Sequence, residues 1–175
     1  PGHESHHESS KLDLLVEHLD AALSQGHRAL VFSQWTKFLD LVESRLQERG
    51  VSFLRLDGTT QGRGDVVERF QSDDGPPVML LSLKAGGVGI TLTRADHVYL
   101  LDSWWNPAVE EQAADRAYRI GQENPVFVYR IVSRGTVEEK ILELQNSKRS
   151  LSSSIVQAGG QTHGLTREDL LNLIV

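Results

Sequence analysis

Apolar residues concentrate in five short runs, most of them rich in β-branched residues: Ala29 to Phe32, Ser52 to Leu56, Val78 to Leu81, His97 to Leu101 and Val126 to Val132. Near-continuous apolar runs of this length are what strands buried on both faces require. The segments between them follow a different period. Leu12, Leu15, Val16, Leu19 and Leu23 fall at i, i+3, i+4, i+7 and i+11, which puts them on one face of a helix, with Ser10 placed to cap its start and Gly26 just past its end. Phe38, Leu41, Val42 and Leu46 repeat the pattern, which stops at Gly50. Strands alternating with helices predict an α/β domain, a parallel sheet with right-handed crossovers and helices on both faces.

Beyond the last run, Thr136-Val-Glu-Glu139 has the form of a capping box opening a helix through Glu143, and Leu165 and Leu170 are spaced as a hydrophobic staple around Thr166. Ser152-Ser-Ser154 and Ala158 to Gly164 read as a flexible connection between the two helices. The expected division is residues 1–9 as a linker, 10–135 as the α/β lobe and 136–175 as a helical extension.

The chain has 175 residues and 39% hydrophobic content, which suits one globular domain. No apolar run approaches the roughly 20 residues that cross a bilayer, and the polar start has no signal-peptide core, so a soluble chain without membrane contact is expected. Cysteine is absent, which excludes disulfides and thiolate metal sites. A net charge of -6 argues against binding nucleic acid through a basic coat, so any such contact must be local. His3, His6 and His7 with Glu4 and Glu8 can bind a metal, but the pattern equally fits a mobile linker and no metal is assigned.

The segment from Asp102 to Gln122 is the most informative. Asn106 can cap a helix, Pro107 suits its first position, and Glu110 and Glu111 favour the positive end of its dipole. On that helix Gln112, Arg116 and Arg119 make one row at i, i+4 and i+7, beside a buried stripe of Val109, Ala113, Ala117 and Ile120. Two outward arginines suit the oxygens of a polyphosphate. Spacing alone equally allows a surface ion pair of Asp115 with Arg119.

Ala85-Gly-Gly-Val-Gly89 follows the third apolar run, where exposed backbone N–H groups can approach a phosphate, although a tight turn with no ligand reads the same way. A Walker A sequence occurs nowhere in the chain. Val98 to Asp102 looks like a Walker B strand, but it lacks that partner. Ser33 and Gln34 end the first run and can donate to phosphates or simply make a polar turn. Trp104 and Trp105 stand at a strand-to-helix loop, where both are hard to bury together.

Trp-Trp-Asn-Pro followed by Gln-Ala-x-Asp-Arg-Ala-x-Arg-Ile-Gly-Gln122 resembles the closing motif of the SWI/SNF-type ATPases of helicase superfamily two. Ala29 to Trp35 is similar to that family's opening motif for its second RecA-like lobe. Arg55-Leu-Asp-Gly-Thr-Thr60 with Arg63 and Phe70 resembles the next block, Leu81 to Thr93 the glycine-rich motif, and Gly135 to Ile141 the bracing helix. The resemblance covers roughly residues 10 to 175. Ser103, Thr91 and Tyr118 depart from the residues common in the family.

The resemblance implies the second motor lobe of an ATP-dependent translocase on double-stranded DNA, a remodeller of chromatin or of protein–DNA complexes. Arg116 and Arg119 would be arginine fingers, with Gln112, Gly87 and Gly89 at the nucleotide. Ser33, Gln34, Ser82, Lys84, Ala85, Gly86 and Trp105 would lie along the DNA. ATP with magnesium would be held mainly by a first RecA-like lobe, the partner within the same protein, so this chain alone is expected to be inactive. The setting implied is intracellular and DNA-associated, nucleoid or nucleus. A strand-separating RNA or DNA helicase lobe and a non-catalytic module keeping the fold are the competing readings.

Overall fold

A computed structural model describes residues 2–83, 90–102, 112–113, 115–117, 121–122, 124–133, 135–144 and 146, with side chains from residue 10 onward. The five apolar runs form five strands: β1 (Ala29–Ser33), β2 (Phe53–Leu56), β3 (Val78–Ser82), β4 (His97–Leu100) and β5 (Phe127–Arg130). All pair in parallel, in the order β2-β3-β1-β4-β5. β1, β3 and β4 are buried along their whole length, whereas β5 closes the sheet as a half-exposed edge.

Side chains alternate across a strand, so each strand serves two cores. Ala29, Val31, Val78, Leu80, Tyr99 and Leu101 face α1 (Gly2–Ser24) and α2 (Thr36–Glu48). Leu30, Phe32, Met79, Leu81, Val98 and Leu100 face the other way, toward Phe70 of α3 (Arg63–Gln71) and toward Ala113 and Ala117. The layers are therefore helix, sheet and helix, the RecA-like arrangement expected.

α1 buries Leu12, Leu15, Val16 and Leu19, as their spacing predicts, and α2 buries Phe38, Val42 and Leu46. Leu41, placed on the same stripe by its spacing, is 43% exposed, and Leu39 is buried in its stead. Gly26 and Gly50 have φ of 82° and 68°, the left-handed turn that ends a helix at little cost for glycine. The start of α1 differs from expectation. The helix begins at Gly2 and runs through the segment read as a linker, so Ser10 lies inside it and not at its start.

Residues 137–144 form a further helix, α4. Its capping differs by one position from the expected box: Thr136 Oγ1 accepts from the Glu138 N–H at 3.3 Å, and Glu139 reaches back to the Gly135 N–H at 2.8 Å. Ile141 is buried, and Glu138 meets Lys11 of α1, whose Nζ also donates to the Leu101 carbonyl at 2.8 Å. α4 is thus tied to the first helix and to the end of β4. The second expected helix, near Thr166, lies outside the described residues.

The turn after β2 is held by one carboxylate. Asp57 accepts from the Thr59 N–H at 2.9 Å, the Thr59 hydroxyl at 2.7 Å and Arg55 Nε at 2.9 Å. Led by the Thr59 hydroxyl, these donors outweigh burial and pull its pKa down from 3.8 to about 2. A carboxyl depressed on folding stabilises the fold above its unfolded pKa and loses that stabilisation as the pH falls through its folded pKa. We expect urea unfolding at pH 5 and pH 2 to show wild type losing about 2 kcal/mol more than Asp57→Asn. Equal losses would mean that Asp57 is not preferentially charged in the fold.

Candidate functional site at the carboxyl edge of the sheet

Ligands of open parallel sheets bind beyond the carboxyl ends of the strands, where neighbouring strands send their connections in opposite directions. Here the chain leaves β1 toward β2 and leaves β4 toward β5, so that point lies between β1 and β4. Ser33 ends β1 there, and Asp102 lies just past the end of β4.

These two ends are joined. Asp102 Oδ2 accepts from the Ser33 hydroxyl and from the Gln34 N–H, both at 2.7 Å, and the Trp35 N–H donates to Ser33 Oγ at 3.0 Å. Burial pushes the Asp102 carboxyl up, while these two bonds and the Lys11 charge pull it down without cancelling the rise. Asp102 is spent on its own chain, which leaves the Walker B likeness without a free carboxylate. Ser33 is fully buried, so its hydroxyl serves this loop and is not presented at the surface. Gln34 is half-buried beside it, and Trp35 is 62% exposed. Trp35 with Phe38, Val137, Lys11, Asp102 and Glu138 lines a cavity of about 480 Å³. The indole was not singled out from sequence, although it closes the opening motif there.

Ser82 ends β3 directly beside Ser33 and is buried. Lys84, Ala85, Gly86, Gly87 and Gly89 lie outside the described residues. The chain resumes at Ile90, and Leu92 is fastened at once: its N–H donates to the Arg116 carbonyl at 2.8 Å.

Arg116 departs from expectation. It does not face outward but is 4% exposed, with Nη1 3.5 Å from the Ile90 carbonyl. The reason is local. Gln112 and Ala113 are helical, but 115–117 form a turn in which the Arg116 N–H bonds to the Ala113 carbonyl three residues back, at 3.3 Å. Such a turn is tighter than an α-helix, so a projection at 100° per residue does not hold for Arg116. Gln112 is exposed as expected, and Ala113 and Ala117 are buried as the stripe predicts. Arg119, Trp104, Trp105, Val109 and Ile120 lie outside the described residues. Gln122 closes the segment onto the sheet, donating to the Ala95 carbonyl at 2.8 Å.

The result is a guanidinium held next to the segment that follows the glycines. The helicase conserved C-terminal domain family matches residues 10–121, well over half the chain. The chain belongs to that family. Its relatives give the branch, SWI/SNF-type lobes of superfamily two. The lobe is 43% identical over 167 residues to DNA repair protein RAD5 of Cryptococcus neoformans, covering 93% of this chain and 14% of that protein. It is 44% identical over 170 residues to helicase swr1 of Schizosaccharomyces pombe, covering 95% of this chain and 13% of the relative. Among solved structures, the C-terminal part of the Fun30 ATPase domain superposes with a TM-score of 0.73 at 39% identity, over 77% of this chain and 44% of that one. The lobe thus spans about one seventh of the curated relatives it matches. Among the described residues, no helix is long and apolar enough to cross a membrane.

The donor chemistry fits the anionic nucleotide that this family implies. An arginine keeps its charge when buried, as a lysine often does not, so the buried Arg116 guanidinium is a donor of the kind that pairs with phosphate oxygens.

Proposed function

We propose that this lobe is the trans half of an ATP-driven motor on double-stranded DNA. The observation that carries the reading is the attachment of Arg116, inside the long closing motif, to Leu92 just after the glycine segment. The closing motif and the segment after the glycines thus share a direct hydrogen bond, the contact through which the nucleotide and DNA sides of the lobe would be linked.

ATP with magnesium supplies the phosphoanhydride whose cleavage drives the cycle and is held mainly by a first lobe. Arg116 and Arg119 present fixed positive charge to the terminal phosphate, and Gln112 helps to sense it. Gly87 and Gly89 let backbone amides approach. Gln34, Lys84, Ala85, Gly86 and Trp105 follow the DNA backbone, while Ser82, buried beside Ser33, is not presented to it. Ser33 acts through Asp102, holding the loop that presents Gln34 and Trp35. Residues 10–135 form the lobe and 136–175 the helical brace, with Lys11 and Glu138 as the clasp between them. The names of the relatives, a DNA repair protein and a helicase, support work on DNA. Chromatin or other DNA-bound protein is the load.

The test is ATP hydrolysis. This chain alone should show only background turnover even with duplex DNA, and the two-lobe protein should be stimulated by duplex DNA without separating its strands. Robust turnover by the chain alone, or efficient strand displacement by the two-lobe protein, would overturn the reading.

A further inference from the structure

The opposite end of the sheet carries a cluster that the motor does not use. His27 precedes β1, while Asp96 and His97 stand at the start of β4. Folding brings them together across 69 residues: the two Asp96 oxygens lie 2.7 Å from His27 Nδ1 and 2.9 Å from His97 Nδ1. The backbone beneath is pinned, since the N–H groups of Asp96 and His97 both donate to the Arg28 carbonyl at 3.2 Å. The His97 ring is set by stacking on Tyr129, with centroids 5.8 Å apart and planes at 21°.

We propose that His27, Asp96 and His97 form a site for a borderline divalent transition-metal ion of the zinc type. One ligand atom from each lies within 4.8 Å of the others, and among the described residues no other group of three is so arranged. Two imidazoles and one carboxylate are a donor set that such ions take, with a further position left open. To reach the roughly 3.4 Å separation of a tetrahedral site, the Asp96 contacts at 2.7 and 2.9 Å must widen and any separation near the 4.8 Å bound must close, shifts of about 1 Å. His27 can make them, because its side chain is 35% exposed while those of Asp96 and His97 are 7% and 9% exposed. The open position has somewhere to face. His27 and His97 line a cavity of about 300 Å³ whose wall also carries Glu17 and His18.

In the metal-free state each imidazole Nδ1 shares a hydrogen bond with one Asp96 oxygen. An ion binding Nδ1 requires a neutral ring to carry its proton on Nε2 instead, so each ring stays neutral and Asp96 supplies the negative ligand. Bound there, the ion would staple the segment before β1 to β4 and to α1, at the sheet end away from the proposed nucleotide edge.

The experiment uses the whole 175-residue chain with His3, His6 and His7 replaced by alanine, so that the N-terminal histidines cannot report. Zinc chloride at a hundredfold excess over Kd should raise Tm by about 5 °C or more, with one equivalent bound by calorimetry. His27→Gln should bind zinc at least tenfold more weakly and keep a metal-free Tm near wild type. No zinc-dependent shift, or full affinity in a folded His27→Gln, would overturn the site. Should that variant misfold, cobalt(II) on the unsubstituted ligands decides. Four- or five-coordinate absorption bands with paramagnetic shifts on His27 and His97 support the site, and a six-coordinate spectrum without those shifts sinks it.

Discussion

Arg116→Ala in the two-lobe protein is expected to lower DNA-stimulated ATP turnover by on the order of 10³-fold, with DNA affinity changed little. The size follows from what the guanidinium would face. Charge spread over the oxygens of a transferring phosphoryl group is met by donors already fixed in place, and their loss is felt almost wholly in the transition state. Burial makes this residue a demanding test, because a 4% exposed side chain can also matter for packing. Arg116→Lys separates the two roles. Lysine keeps much of the volume and the charge but not the planar fork, so a phosphate ligand stays impaired while a packing residue recovers. Unfolding temperatures of the isolated lobe should be measured in parallel. Normal turnover in Arg116→Ala, or full rescue by lysine, would remove Arg116 from the site. Arg119→Ala is expected to behave as Arg116→Ala does.

The second large effect is on stability. Lys11 is 7% exposed, bonds to the Leu101 carbonyl at 2.8 Å and to Glu138 Oε1 at 2.7 Å, and its charge favours the ionised form of Asp102. Lys11→Met keeps the stem's volume and removes only the ammonium. Two carboxylates are then left with no cation between them, one of them buried, and breaking such a pair from one side costs about 3 kcal/mol or more. Urea unfolding at pH 7 should show this loss. It should shrink on acidification, since protonating Asp102, whose carboxyl is already raised by burial, relieves the same strain. The double variant Lys11→Met with Glu138→Gln should recover part of it. A loss under about 1 kcal/mol would mean that solvent reaches the clasp and screens it.

These two residues also mark the boundary of what a linear pattern carries. The strands were legible within a residue or two at most ends, because an apolar run flanked by turns has few alternatives once both faces must be covered. The apolar face of α1 was legible for the same reason, as was most of that of α2, where Leu39 took the place expected of Leu41. The start of α1 was not, since Ser10 can cap a helix or ride within one, and the apolar period says nothing of polar residues upstream. At the candidate site, the buried places of Ala113 and Ala117 agreed with their spacing, and the outward pointing expected of Arg116 did not hold. A single turn closing three residues back, with Leu92 fastened to it, turned that side chain inward.

Local pattern and long motifs sufficed for the alternation of strand and helix, the α/β class, and membership of a helicase lobe family. The long-range polar contacts came from folding alone. Ser33 with Asp102, Lys11 with Glu138, and His27 with Asp96 join residues 69, 127 and 69 positions apart. Periodicity records which side chains leave water, because burial of apolar surface is non-directional and additive along an element. It does not record which polar groups meet, because a hydrogen bond depends on a few tenths of an ångström between strand ends that packing alone brings into register.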